Sequence, residues 1–157
     1  MIASTFLLTA FAAFATAIPT SNVLSPRAGG PAAKPIPTTC TVSSPAYPTD
    51  TADATYQPAD STKDALVYYA YYSLDTDKTQ LQKQCLEQCY GLGVTPPCVA
   101  AYWADNLVVP AGYYGGAGGN LATGCLMYNR TLETTDFVKA TDGHATDAYV
   151  GDIKCPS

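Results

Sequence analysis

The sequence predicts an α+β fold in which an antiparallel sheet packs against one helix and three disulfides hold the two together. Several short runs are rich in Tyr, Val and Trp, residues that favour strands. One polar stretch has the capping residues and the periodicity of a single helix, and six cysteines lie in the same part of the chain. Several strands with one dominant helix are typical of α+β proteins rather than of a doubly wound parallel sheet.

The strand predictions rest on four runs of β-branched and aromatic residues, at 65–74, 98–105, 124–129 and 148–155. Successive side chains of a strand point to opposite faces, so the first run places Leu66, Tyr68, Ala70 and Tyr72 on one face of the sheet. The other face then has Val67, Tyr69 and Tyr71. One of these faces belongs to the core, and the other is either covered or a binding surface.

The helix is predicted over residues 78–90, which are mostly good helix formers. Asp77 has the position of an N-terminal cap, and Gln80 follows it at the spacing of a capping box. One face is predicted to be apolar because three residues recur at intervals of four, namely Leu81, Cys85 and Cys89. Both cysteines therefore point from the helix into the core.

The end of this helix is predicted from glycine and proline. Gly91 follows the last periodic residues, where a left-handed C-terminal cap is expected. Pro96 and Pro97 cannot continue a helix, so the chain turns back before Cys98 and enters the second predicted strand.

The N-terminal part of the chain defines the domain organisation. Residues 1–17 are apolar, carry no charge and end in Ala-Thr-Ala, which predicts a secretory signal peptide; the run is too short for the alternative, a membrane anchor. Residues 18–39 are rich in Pro, Gly, Ser and Thr and predict a flexible leader, in which Arg27 is a weak signal for propeptide cleavage. Residues 40–155 form the predicted domain. We therefore expect a secreted protein, extracellular or in the cell wall, with no membrane span.

The cysteines of the predicted domain are Cys40, Cys85, Cys89, Cys98, Cys125 and Cys155. An even number in a secreted chain predicts three disulfides. Zinc binding by the two helical cysteines is the rival interpretation, but His144 is the only histidine and secretion favours oxidation. We therefore expect no metal site.

Local structure narrows the pairing without fixing it. Cys89 lies at the helix end and is the easy partner of Cys98, which leaves Cys85 for Cys125 and the outer two cysteines for each other. The alternative exchanges the inner partners and joins Cys85 to Cys98 and Cys89 to Cys125. Both arrangements satisfy the spacing of the helix.

The order of cysteines and elements resembles the PAN/apple domain family. The resemblance is carried by Cys40 near the start, Cys85-x-x-x-Cys89 on a helix, Cys98 before an aromatic strand, Cys125 in "TGCLMYN" and Cys155 in "YVGDIKC". It covers most of residues 40–155, although a long stretch precedes the helix and a glycine-rich insertion precedes Cys125.

The resemblance implies a curved antiparallel sheet with one helix packed across it and pinned by the inner disulfides. It implies the pairs Cys40–Cys155, Cys85–Cys125 and Cys89–Cys98. A small domain of this kind behind a Pro/Thr-rich leader is similar to secreted proteins of filamentous fungi, and apple-type domains often bind carbohydrate or protein.

The charge pattern argues against nucleic acid as a partner. The formal net charge is -5 and the pI is about 4.5, and the few Lys and Arg residues are scattered. No basic stripe is present that would replace the counterions of a polyphosphate. Nothing in the sequence indicates a cofactor, so we expect none.

The residue inventory also argues against catalysis. His144 lies in "TDGHATDAY", a polar stretch that predicts a surface turn rather than a general base. Six paired cysteines leave no thiolate nucleophile. We therefore expect a protein that is not an enzyme.

The glycine-rich insertion at 106–124 is the best candidate for a binding surface, because a loop of this length in a small domain is usually functional or disordered. Tyr113 and Tyr114 lie among glycines, where exposed rings suit sugar stacking or protein contact. The alternative is a hairpin tip with both rings folded back on the sheet. Asn129 begins the sequon "NRT" and is the predicted N-glycosylation site.

These observations predict a secreted, non-catalytic recognition module that binds extracellular carbohydrate or protein. The alternative function is structural: a cell-wall or host-interaction protein that has no small-molecule ligand. Retention on a chitin or glucan matrix would separate the two.

Overall fold

The computed structural model describes residues 31–45, 48, 54–72, 77–93 and 97–156. The predicted signal peptide and the leader as far as residue 30 lie outside the described residues. So do the last two residues of the first predicted strand and Pro96.

The described residues form seven strands and one α-helix. In chain order they are β1 (Thr41–Ser43), β2 (Tyr56–Pro58), β3 (Leu66–Tyr72), α1 (Lys78–Gly91), β4 (Ala100–Val108), β5 (Leu121–Tyr128), β6 (Phe137–Lys139) and β7 (Thr146–Lys154). Short 3-10 turns lie at Asp60–Ala65, Tyr113–Gly115 and Thr134–Asp136.

Five of the strands form one antiparallel sheet in the order β1-β7-β4-β5-β3, and β2 pairs with β6 in a separate antiparallel ribbon. The long strands β4, β5 and β7 lie at its centre, where tyrosine, tryptophan and alanine are buried on both sides. The prediction of an α+β fold with antiparallel pairing and one main helix is confirmed.

The helix covers one face of the main sheet, which we call the helix face. The Asp77 carboxylate accepts a hydrogen bond from the Gln80 amide at 3.0 Å, which confirms the predicted cap. The residues of α1 that face the sheet are buried, and they pack on β4 and β5 in one cluster: Leu81, Cys85, Leu86, Cys89, Ala101, Trp103, Cys125 and Met127. The Tyr72 hydroxyl also donates to the buried Gln88 amide oxygen at 2.6 Å, which fixes β3 to the helix.

Two disulfides pin α1 in place. Cys85 is bonded to Cys125 on β5, and Cys89 is bonded to Cys98 just before β4, with Cα atoms 5.7 and 5.2 Å apart. The third disulfide joins Cys40 to Cys155 and closes the two ends of the domain. These are the pairs that the resemblance implies, and the exchanged arrangement of the inner partners is not the one adopted.

The opposite face of the main sheet, which we call the ribbon face, is covered by the β2–β6 ribbon. Its buried side chains include Tyr102, Tyr128, Leu132, Phe137 and Val150. The ribbon is held by polar contacts, since the Tyr102 hydroxyl donates to the Tyr56 carbonyl at 2.9 Å. Ribbon and helix therefore sandwich the sheet between two apolar layers.

The role predicted for Gly91 is wrong. Gly91 is the last helical residue, and the left-handed residue after the helix is Gly93, with φ +105°. Gly91 instead allows a close approach, because a Cβ there would lie 1.8 Å from the carbonyl oxygen of Ala32.

The end of the predicted leader is part of the folded domain. The Lys34 amide donates to the Glu87 carbonyl of α1 at 2.9 Å, and Ile36 packs against the helix-face cluster. Two residues at the end of the predicted leader, Lys34 and Ile36, thus contact the helix or its cluster. The physical reason is that Ile36 finds apolar surface at the helix end.

A bulge near the start of β3 changes its predicted alternation. Leu66 pairs with Tyr128 and Tyr68 pairs with Met127, so Val67 is the extra residue. As a result Leu66 and Tyr71 pack on the ribbon face, whereas Tyr68 and Tyr72 pack on the helix face. The predictions that Leu66 shares a face with Tyr68 and that Val67 shares a face with Tyr71 are wrong, because Val67 also packs on the helix face.

Candidate functional site

The glycine-rich insertion is mostly a hairpin. β4 continues to Val108 and β5 begins at Leu121, and these two residues are paired. The prediction of a loop over 106–124 is therefore too long, because only residues 109–120 leave the sheet. The strands extend further because Leu107 is buried and continues the apolar layer of the ribbon face.

Backbone hydrogen bonds order this shorter loop. Val109 donates to the carbonyl of Asn120 at 2.9 Å, and Gly119 donates back to Val109 at 2.8 Å. At the tip, Gly116 donates to the carbonyl of Tyr113 at 3.0 Å. The loop thus presents its two tyrosines from a hydrogen-bonded frame.

Tyr113 folds back over the edge strand β3. Its hydroxyl accepts a hydrogen bond from the Tyr71 amide at 2.9 Å, and its ring centroid lies 5.1 Å from that of Tyr71 and 5.8 Å from that of Tyr69. β3 is an edge strand, and this contact covers part of an edge that would otherwise invite pairing with another chain. Tyr113 therefore has the position predicted by the alternative interpretation, a hairpin tip with the ring folded back on the sheet.

Tyr114 does not fold back on the sheet. Its side chain is 72% exposed, and its ring centroid lies 4.6 Å from that of Tyr113. Its backbone is left-handed, with φ +48°, which is uncommon for a bulky residue and unfavourable without a compensating role. The chain therefore holds an exposed aromatic ring in a strained position at the hairpin tip.

Four tyrosines form one surface, which we call the tyrosine cluster: Tyr69, Tyr71, Tyr113 and Tyr114. Tyr69 and Tyr71 lie 6.1 Å apart on the ribbon face of β3, and Tyr113 joins them to Tyr114. The Tyr69–Tyr71 and Tyr71–Tyr113 pairs are edge-to-face, an arrangement that aromatic side chains favour.

A glycine makes room for the cluster. Gly124 lies directly opposite Tyr71 in the neighbouring strand, and a Cβ at that position would lie 2.6 Å from Leu107 and 3.1 Å from the Tyr71 ring. A glycine in a strand marks such a close approach. The ring of Tyr71 can therefore pack closely on β5, where it contacts the ring of Tyr113.

Burial raises the pKa of two phenols in this region. It raises the pKa of Tyr71 from 10.0 to about 12, and the neighbouring Tyr69 and Tyr113 add to the shift. Burial also raises the pKa of Tyr68, with smaller contributions from Tyr114 and Tyr113. Tyr71 and Tyr68 therefore stay uncharged to a higher pH than an ordinary tyrosine does.

Apolar surface surrounds the cluster. Tyr69 is 41% exposed, and the paired residues Val108 and Leu121 at the base of the loop are 46% and 41% exposed. Together with Tyr114 they concentrate exposed apolar side chains at one end of the sheet. Patches of this kind mark binding surfaces more often than isolated apolar residues do.

A cleft adjoins the cluster on the ribbon face, and we call it the His144 cleft. It is lined by Gln57, Pro58, Tyr71, Leu107, Val108, Leu126, Thr141 and His144. The prediction of a turn at His144 is confirmed, since its amide donates to the Thr141 carbonyl at 2.8 Å. Neither composition nor periodicity indicates that this turn lies beside Tyr71, because the pairing of β2 with β6 brings it there.

A charged cluster at the start of α1 stabilises the fold. Lys78 forms an ion pair with the buried Asp105 at 2.9 Å and another with Asp147, and hydrogen bonds to Asp147 and Asp105 raise its pKa to about 12. The Thr123 hydroxyl donates to Asp105 at 2.6 Å. These contacts fix the start of the helix to the sheet and leave the carboxylates paired.

The described residues contain no group of three or more His, Cys, Asp or Glu side chains placed to hold a metal ion, and every cysteine is in a disulfide. None of the described helices has the length and apolar character that crossing a membrane requires. Asn129, the predicted glycosylation site, is exposed just after β5. Comparisons of the chain with protein-family models, with curated proteins and with solved structures found no match.

Proposed function

We propose that this protein is a non-catalytic recognition module that acts outside the cell and binds a carbohydrate or a protein through the tyrosine cluster. The observation that carries the proposal is Tyr114, whose ring is 72% exposed on a left-handed backbone. Strain of this kind persists where the surrounding structure enforces it, often at ligand-binding sites.

The cluster has the chemistry of a recognition surface. A tyrosine ring offers a rigid apolar face for the C–H face of a sugar or for an apolar side chain, and its hydroxyl offers a hydrogen bond. Tyr113 and Tyr71 support the exposed ring from below. Little side-chain freedom is lost on binding, which favours affinity.

The extracellular location is supported by the disulfides. Three disulfides and no free cysteine among the described residues are compatible with an oxidising compartment. The nested pairing, with a helix across an antiparallel sheet, also supports an apple-like assignment of the domain. Apple-type domains often act as recognition modules.

The test is binding of the secreted chain to insoluble chitin and insoluble β-glucan, together with a glycan array and capture of partners from secreted proteins. We expect one of these ligands to be retained by the wild type and lost by the Tyr113→Ala/Tyr114→Ala variant. Tyr90→Ala is the control, because Tyr90 lies on α1 across the sheet. Thermal unfolding of all three proteins excludes a folding defect as the cause.

The alternative is a structural wall or host-interaction protein without a ligand of its own. It predicts that no ligand is retained, or that retention is the same in the double variant and in Tyr90→Ala. Either result would overturn the proposal.

A further inference from the structure

The His144 cleft and the tyrosine cluster are continuous. Tyr71 lines the His144 cleft. It also lines a second depression under the loop, whose other lining residues include Tyr113, Asn120 and Leu121. A ligand that lies on Tyr114 and Tyr113 can therefore extend past the Tyr71 ring into the cleft without leaving the surface.

Among the described residues, no Asp, Glu, Lys or Arg side chain lines either depression. The cleft has an apolar floor of Leu107 and Leu126 and a rim that carries an amide, a hydroxyl and an imidazole, from Gln57, Thr141 and His144. The chain as a whole carries a formal net charge of -5. A lining without carboxylate, ammonium or guanidinium groups fits an uncharged ligand, since a charged one would lose its hydration there without gaining an ion pair with any of these groups.

The polar rim of the cleft is held in place before any ligand arrives. The Thr55 hydroxyl donates to the His144 carbonyl at 2.7 Å, and the Ala140 amide donates to the Thr55 carbonyl at 2.8 Å. Gln57 lies in β2, where it pairs with Val138. The main chain that carries these rim residues is therefore ordered without a ligand, and binding need not rearrange it.

We infer that the His144 cleft is a second subsite for a linear, uncharged polysaccharide, with one sugar stacked on Tyr114 and a later sugar of the same chain in the cleft. The inference rests on the proposed function and names its ligand class. A polysaccharide fits better than a protein because each sugar presents an apolar face to a ring and hydroxyl groups to a polar rim. Hydroxyls in the cleft would meet Gln57, Thr141 and His144.

The experiment measures affinity by calorimetry for oligosaccharides of chitin and of β-glucan, from the disaccharide to the hexasaccharide. Affinity is expected to rise with length until the chain reaches the cleft. The Gln57→Ala/His144→Ala variant is expected to bind the long oligosaccharides roughly tenfold more weakly, because it loses hydrogen bonds, and the disaccharide equally well. Gln84→Ala, on α1 across the sheet, is the control and should bind every length as the wild type does.

The outcomes separate this inference from the proposed function. If oligosaccharides bind and depend on Tyr114, but their affinity neither rises with length nor falls in the cleft variant, the inference is overturned and the proposed function stands. If only a protein partner is captured, and its capture depends on Tyr114, the inference is also overturned and the proposed function stands. If no ligand of either class binds, both are overturned.

Discussion

The two faces of the main sheet are held by different kinds of interaction. The helix face is closed along its length by α1, and the disulfides Cys85–Cys125 and Cys89–Cys98 fix the helix covalently. The ribbon face is covered by two short strands that no disulfide joins to the sheet; they pack on its apolar layer, and hydrogen bonds and the Arg130–Asp136 ion pair add to this packing. At its far end the ribbon stops and tyrosines lie at the surface.

This difference indicates how a small domain can leave part of a sheet open. The apolar surface exposed at one end of the ribbon face is not buried on folding, so it adds no stability. Other contacts must therefore stabilise the sheet. The inner disulfides do this from the opposite face, where they do not interfere with the tyrosine cluster. Stability and recognition are thus assigned to opposite sides of the same strands.

Removal of an inner disulfide should weaken the attachment of α1 to the helix face and have the largest effect on stability. In the chain-entropy treatment, the 40-residue separation of Cys85–Cys125 corresponds to about 4 kcal/mol of stability and the 9-residue separation of Cys89–Cys98 to about 3 kcal/mol. We therefore expect Cys85→Ala/Cys125→Ala to unfold at lower denaturant than Cys89→Ala/Cys98→Ala.

Trp103 is a convenient probe for this comparison, since it is the only tryptophan and is fully buried against the helix-face cluster. Its fluorescence should report unfolding in each variant. An equal loss of stability for the two disulfides would contradict the predicted ranking.

Loss of the ion pair on the ribbon face should have the next largest effect. Arg130 donates two hydrogen bonds to the buried Asp136, at 2.6 and 2.7 Å, and these bonds lower the pKa of Asp136 below its ordinary value of 3.8. We expect Asp136→Asn to cost about 2 kcal/mol at neutral pH.

The contribution of Asp136 has a defined pH dependence. A lowered pKa stabilises the fold above the ordinary value and ceases to do so as pH falls through the folded value. The gap in free energy of unfolding between wild type and Asp136→Asn should therefore begin to narrow near pH 4 and close once the pH is below the lowered pKa of Asp136. A gap that persists in acid would show that packing, and not charge, is lost.

Alkaline pH should weaken the ribbon face through Tyr71. The pKa of Tyr71 is raised from 10.0 to about 12, so its contribution is complete below pH 10 and is lost as pH rises towards 12. Between pH 9 and pH 11 this group should account for a loss of about 1 kcal/mol, which Tyr71→Phe removes. Urea unfolding at pH 9 and at pH 11 measures this loss of stability. An equal loss in Tyr71→Phe and in the wild type would refute the assignment.

The smallest effect, and the sharpest contrast, is expected at Tyr114. Glycine adopts a left-handed backbone without strain, so Tyr114→Gly should leave stability unchanged or raise it by up to about 1 kcal/mol. Tyr114→Ala keeps the strain and should be neutral or slightly destabilising. Thermal unfolding of the two variants compares them, and a clear loss of stability in Tyr114→Gly would mean that the ring supports the fold.

The features that could be predicted from the sequence are local ones. The cap at Asp77 and the shared face of Cys85 and Cys89 depend on residues within a few positions of each other, and the structure has both. Turn chemistry likewise placed His144 in a turn, and the glycine-rich stretch pointed to Tyr113 and Tyr114.

The features that were missed depend on residues far apart in the sequence. Gly91 is needed because residue 32 crosses the helix end, and Gly124 is needed because Tyr71 lies opposite it. The bulge at Val67 is set by pairing with β5. Neither periodicity nor composition contains this information, so the sequence could not show that Tyr71 and the His144 cleft form one surface.

The most direct test of the division between the two faces measures stability and ligand retention on the same two variants, Tyr114→Ala and Cys89→Ala/Cys98→Ala. We expect Tyr114→Ala to lose retention on the polysaccharide or partner that the wild type binds and to keep its unfolding temperature. We expect the disulfide variant, assayed below its unfolding temperature, to keep retention and to unfold at a lower temperature. Retention that survives in Tyr114→Ala, or that falls in both variants in step with stability, would contradict this division.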